Sequence, residues 1–309
     1  MYTIRMELYL RRNLSFVLLF IGIASYILYF SLFSIMRNEK LYAHYFDLGI
    51  MHQTVYNTYQ GIKTGDLSRI LELTDPHQST NQIKRMATHN DIFLVFLAPF
   101  YFIHDGPATL LIIQSVILGL GAYFVFLIAQ DVFKKNLYRN YFAVIFAYGY
   151  LLYPPLQKAN NFDFHAVTLS TTFLLALYYF WLKKRYVLII ICAIASMLTK
   201  EQLGLTIAFF GIFVIIDFTK SHHLFTLQSI KYLFMKPQIM QRLFTFIKNK
   251  SVKFGFMMII MGFFWVLFSM LIIIPYFRSG EHFGTKYFSY LFNTPWKAIP
   301  AIFRYESIH

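Results

Sequence analysis

Charge is what this sequence has least of. Only 14% of its 309 residues are Asp, Glu, Lys or Arg, against about 25% in a soluble domain. Acids are scarcest, with 14 against 28 lysines and arginines. One cysteine, Cys192, lies in an apolar run, which excludes a disulfide framework and says nothing of compartment. With no Cys-x-x-Cys pair, the ten histidines leave no recognisable zinc signature. No internal repeat and no low-complexity segment is visible. What is present is apolar: 58% hydrophobic and 20% aromatic residues. That excludes disorder and excludes a water-soluble globule, so the core must face lipid. The net charge of +14 invites a nucleic-acid reading, but its distribution argues against one.

A membrane helix needs roughly 20 apolar residues, fewer where the bilayer thins. Leu14 to Met36 qualifies and follows Arg5, Arg11 and Arg12. It is too long for a signal-peptide core and lacks a small-residue cleavage site, so it reads as a retained first helix with a cytoplasmic N-terminus. Later runs are Pro107 to Gln130, Tyr141 to Gln157, Ala166 to Leu182, Tyr186 to Thr199, Leu203 to Asp217 and Phe254 to Phe277. These predict seven spans. Ile92 to Ile103 would reach only about 18 Å as a helix and reads as re-entrant or interfacial.

On this layout the inner segments hold sixteen lysines and arginines against three acids, and the outer ones twelve against eleven. The excess falls on one side, as the positive-inside rule requires. It is a topology signal with anionic phospholipids as neighbours, and no nucleic-acid face is needed. The same rule splits Tyr186 to Asp217 at Lys200-Glu201-Gln202 into two helices of about 21 to 23 Å each. Their shared tip is then expected below the outer surface, in a water-accessible dip. The expected division is residues 1–36 as N-terminus and first span, 37–106 as outer loop with surface and re-entrant helices, and 107–217 as core spans. A basic inner loop over 218–253 and a last span with outer tail over 254–309 follow. The chain stops in an outer segment, which reads as a truncated member of something longer.

Three polar clusters project outward. The first is Asp47, with Gln53 and Asn57 beyond it. Leu48, Met51, Val55, Tyr59 and Ile62 form one apolar helical stripe, expected on the outer leaflet. Asp47 stands at the helix start, where capping backbone N–H groups is the favoured role. A general base or metal ligand is the functional alternative, and one carboxylate can do both. The second cluster runs from Asn160 through Asn161 and Asp163 to His165. It is an ordinary polar turn on one reading and a proton-sharing or metal-binding pair on the other. The third is Lys200-Glu201-Gln202. A charged pair at the tip of two short helices is costly unless paired or hydrated. Lys200 can neutralise a phosphate as a compact point charge, and Glu201 can act as acid, base or ligand. His89 lies where the outer loop returns. A lone surface histidine is ordinarily inert, and joining the site is the functional reading.

The ordered set of Phe46-Asp47-Leu48-Gly49-Ile50 with Gln53 and Asn57, His89 before Leu97-Ala98-Pro99, Gln114, Leu152-Tyr153-Pro154-Pro155 with Asn160-Asn161-Phe162-Asp163-Phe164-His165, and Lys200-Glu201 resembles a bacterial and archaeal family. It is the membrane-protein family catalogued as domain of unknown function 2079. The resemblance covers about residues 40 to 217 of this chain. Members commonly close the last motif with Lys-Glu-Asp, whereas this chain has Gln202. The family in turn looks like a distant branch of the membrane glycosyltransferases of the GT-C fold. That resemblance implies an all-α, polytopic membrane protein with a large first outer loop and a site open to the outer face. Asp47 would correspond to the early acidic residue, although Gly49 stands where the second acid of a GT-C pair would be.

What the resemblance implies is a glycosyltransferase at the plasma membrane that uses a lipid-linked sugar donor. Asp47 and Glu201 are the catalytic candidates. Gln53, Asn57, His89, Asn161, Asp163, His165 and Lys200 are candidates for substrate binding. A divalent cation held through oxygen ligands is the cofactor this chemistry admits. The rival classes are a transporter or flippase, which would place its site at the midplane between repeats, and a non-catalytic envelope scaffold.

Overall fold

A computed structural model describes residues 2–42, 46–75, 81–221 and 249–278. Helix α1 (Tyr2–Glu39) leads to α2 (Phe46–Thr64). A two-stranded antiparallel hairpin follows, β1 (Glu72–Thr74) with β2 (Gln82–Lys84), in the register Leu73 opposite Ile83. A run of 3-10 turns over Ile92–Phe102 leads to α3 (Ala108–Val132), α4 (Arg139–Leu151), α5 (Pro154–Asn161), α6 (Ala166–Leu182), α7 (Tyr186–Thr199) and α8 (Leu203–Ser221). The last elements are α9 (Lys250–Phe268), a π-turn over Ser269–Ile273 and α10 (Ile274–Phe277). Residues 222–248 of the expected basic loop and the expected tail after Arg278 lie outside the described residues.

The breaks between helices have local causes. Tyr153 precedes Pro154, and a residue before proline is pushed out of the helical region. Tyr153 is accordingly extended, with φ −66° and ψ 115°. The run expected as one span over 141–157 is therefore two helices, with Pro154 at the favoured first position of α5. Lys184 adopts a positive φ of 54° and ends α6, where a cation also suits the helix dipole. Lys200 is extended after α7, so the expected split at Lys200-Glu201-Gln202 is present.

Among the described residues the protein is all-α apart from the small hairpin. Among the described residues, three helices are long and apolar enough to cross a membrane by themselves: Asn13–Glu39, Ala108–Val132 and Lys250–Phe277. The apolar helices α6, α7, the Leu203–Thr219 part of α8 and the Ile92–Phe102 run are shorter. The bundle exposes large side chains in quantity, among them Phe20 at 72% and Leu271 at 70%. Patches of that extent mark contact with another apolar phase, here hydrocarbon.

Without a hydrophobic drive between helices in lipid, packing must hold them. Helices α8 and α9 run antiparallel with glycines at the contact. A Cβ on Gly204 would come within 2.5 Å of the Gly262 carbonyl, and one on Gly211 within 2.5 Å of that of Gly255. Trp181 near the end of α6 lies parallel to Phe254 of α9, and Tyr186 at the start of α7 meets the same ring edge-on. Lys183 after α6 reaches Asp131 near the end of α3 at 2.6 Å. One end of the bundle therefore gathers Lys183, Lys184, Arg185, Lys250 and Lys253. The other end gathers the starts of α3 and α6, the end of α7, and the layer made by α2, the hairpin and the 3-10 run.

That layer corrects one expectation. The stripe of α2 does not lie on a leaflet. Leu48, Met51, Val55 and Tyr59 are buried against Leu94, Leu97, Ala98, Tyr101, Leu110 and Phe164, and only Ile62 is exposed.

Candidate functional site

The polar clusters meet where α2, α6 and α7 converge with the loop after the hairpin. A cavity of about 170 Å³ lies there, with Asp47, Arg85, Thr88, His89, Asp91, His165, Thr199 and Lys200 among its walls. The apolar parts of the lining come from Phe46, Ile50, Met51, Ala166 and Val167.

Asp163 is buried in the turn between α5 and α6, and its Oδ2 accepts from the Leu48 backbone N–H at 3.3 Å. It binds an N–H in the first turn of α2, the job expected of Asp47. The Asp47 carboxylate instead lies 3.5 Å from His165 Nε2, with 38% of its side chain exposed. His165 is positioned at both ends. Its backbone N–H donates to Gln114 Oε1 at 3.1 Å, and Thr168 Oγ1 donates to the same oxygen at 2.7 Å. Its Nδ1 lies 3.1 Å from the Asp163 carbonyl oxygen. A carbonyl can only accept, so we assign a proton to Nδ1, and Nε2 is turned towards Asp47.

The loop from β2 back to the bundle supplies a second wall. Arg85 donates through Nε and Nη2 to both oxygens of Asp91 at 2.9–3.0 Å. Their side chains are only 5% and 3% exposed. Four residues after Arg85, His89 Nδ1 lies 2.9 Å from Glu201 Oε1, while the Asn90 backbone N–H donates to Oε2 at 2.9 Å. The Asn90 side chain donates to Ser269 Oγ at 2.7 Å, so the π-turn after α9 is tied to the same loop. Burial alone would raise the Glu201 carboxyl. The hydrogen bond and charge of His89 and the backbone N–H bonds outweigh it and hold the group down at about 2.

This corrects the catalytic candidacy of Glu201. Its carboxylate is 5% exposed with both oxygens engaged, and it is not part of the cavity lining. It positions His89 and the loop. Gln53 and Asn57 also leave the site. Gln53 exchanges hydrogen bonds with Thr74 in β1, and Asn57 holds the Glu72 carbonyl and the Arg69 side chain. On a helix turning ~100° per residue they sit about 240° and 280° round from Asp47, so their spacing already pointed them to another face. Asn161 is not in the lining either. Its backbone carbonyl accepts from Arg37, and its Oδ1 is buried without a hydrogen-bond partner among the described residues. The neighbouring Asn160 ties Tyr26, Ser34 and Ser115 together.

Four of the nine candidates therefore line the cavity: Asp47, His89, His165 and Lys200. Glu201 and Asp163 support it from behind. Lys200 is half-buried, and the salt bridges among the described residues do not include it. Arg85 was not singled out in the sequence. Its signal was a cation six residues before Asp91 in the loop that carries His89, where a short turn can fold one onto the other. As for a metal, no group of three His, Cys, Asp or Glu side chains among the described residues is placed to hold an ion. Asp47, Asp91 and Glu201 each already face a cationic or titratable side chain.

The family model described as "Predicted membrane protein (DUF2079)" matches residues 37–303. No curated protein and no solved structure matches the chain.

Proposed function

The chain belongs to the DUF2079 family of predicted membrane proteins, and from that premise we propose that it is a GT-C-like glycosyltransferase of the plasma membrane. It moves a sugar from a polyprenyl-phosphate carrier to an acceptor hydroxyl at the outer face. Seven crossings with a cytoplasmic N-terminus place the Lys183–Arg185 and Lys250–Lys253 end against anionic phospholipid head groups. The cavity then opens on the opposite side. The observation that carries the reading is the Asp47–His165 pair and Lys200, which has no salt bridge among the described residues, on the walls of one cavity.

In the reaction, the acceptor hydroxyl gives its proton to the Asp47–His165 pair as its oxygen bonds to the anomeric carbon. The bond from that carbon to the phosphate oxygen breaks, and its electron pair leaves on the polyprenyl phosphate. Lys200 offsets the charge that develops there. His165 Nε2 is the free ring nitrogen, and Asp47 stabilises the imidazolium once it forms. His89 shapes the donor pocket, held by Glu201. The donor set favours charge neutralisation by side chains over a divalent ion.

The test is Asp47→Asn in the reconstituted full chain supplied with lipid-linked sugar. Transfer should fall by about a hundred-fold or more with the melting temperature unchanged. Full transfer in that variant removes Asp47 from the proton-accepting pair. Solute flux through liposomes without any transfer replaces the reading with a transporter.

A further inference from the structure

The proposed reaction leaves Arg85 without a part, yet it is the most deeply buried cation on the cavity wall. The backbone fixes it from below, with its N–H donating to the Leu71 carbonyl at 2.6 Å. Asp91 fixes it from the side by taking Nε and Nη2. Nη1 has no hydrogen bond to any described residue, and it is not among the buried polar atoms without a partner. It therefore keeps some exposure, and Arg85 is one of the residues that line the cavity. Lys200 lines the same cavity without a carboxylate among the described residues. Helix α6 starts there too, with Ala166 and Val167 of its first turn in the lining, so the positive end of its dipole faces the same volume.

We propose that Arg85 Nη1 and Lys200 Nζ together form a binding site for a phosphate group, with Asp91 as the residue that positions the guanidinium. A planar fork held rigid on one edge presents its remaining nitrogen at a fixed place, while the lysine supplies a movable point charge. Two cations and a helix start offer donors in three directions. That matches the three free oxygens of a phosphate monoester, the form in which polyprenyl phosphate leaves, better than the two of a carboxylate. Asp47, on the wall of the same cavity, is paired with His165 at 3.5 Å. Assigning the phosphate to the lipid carrier rests on the transferase reading. The anion site itself does not.

The experiment titrates the full chain in detergent micelles with inorganic pyrophosphate, followed by calorimetry. Lys200→Gln and the double variant Arg85→Gln/Asp91→Asn should each weaken binding by about ten-fold or more. The double variant leaves no uncompensated buried charge. Arg85→Lys, which keeps the charge and loses the fork, should bind more weakly than the parent at an unchanged melting temperature. Parent-like binding in Arg85→Lys and in the double variant overturns the proposal. Polyprenyl phosphate displacing pyrophosphate, with phosphatidylglycerol inert, supports the carrier as the source. Displacement by phosphatidylglycerol alone overturns that assignment. Anion binding that needs both cations in a chain without transfer upholds the site and removes the transferase. Undiminished transfer in the double variant does the reverse.

Discussion

The two ends of the helix bundle treat charge in opposite ways. At the site end, three acids are each matched to a base and set beside or behind a small cavity: Arg85 with Asp91, His89 with Glu201, His165 with Asp47. At the other end the charges are mostly of one sign. The Lys183–Asp131 pair there has 38% and 28% of its side chains exposed. At the first end two of the three pairs join distant elements and the third closes a loop on itself, so its charge depends on the fold. The second is a run of cations placed by chain order, which needs only a bilayer to act on it.

Removing half of a pair should separate the ends most sharply. Asp91→Ala strands a buried guanidinium and should cost about 3–5 kcal/mol, read as loss of folded protein in a detergent melt. If it is tolerated without loss, the site end is no more fold-dependent than the other. Asp163→Ala should cost about 1–2 kcal/mol by freeing the start of α2, whereas Asp47→Ala should leave the melt unchanged. Reversal of that order would return the capping role to Asp47.

The third test is acid. Glu201 is held below its ordinary value of 4.5, at about 2. A depressed carboxyl contributes stability that is full above the unfolded value and lost as pH falls through the folded one. Hydrogen exchange at the Asn90 amide should therefore stay slow down to about pH 4.5 and quicken between there and about pH 2. Glu201→Gln should make it quick at neutral pH as well. An amide equally protected in the variant would detach Glu201 from the loop. The smallest effect belongs to the cationic end: Lys183→Met should change the melt by about 1 kcal/mol or less.

The apolar runs made the long helices legible. The apolar stretches Asn13–Glu39, Ala108–Val132 and Lys250–Phe277 fall within about four residues of where hydropathy puts them. Positive-inside counting also drew the break at Lys200 that hydropathy alone left open. The single run over 141–157 misled because its composition outvoted one dipeptide, Tyr153-Pro154, whose steric bias is local. Gln53 and Asn57 misled for another reason. They belong to the same motif as Asp47 in one dimension and to another face of the helix in three.

Chain order and polarity by themselves determined that this is a helical membrane protein. They also determined that Asp47, His89, His165 and Lys200 belong to the same side of it, because transfer of charge into hydrocarbon is costly enough to sort residues without any packing. Which carboxylate would cap, which would stay open to the cavity, and which cation would be held and which left unmatched were decided only by the tertiary structure. Those roles depend on partners 6 to 115 residues apart brought within about 3 Å, a distance at which hydrogen-bond geometry selects one partner over another.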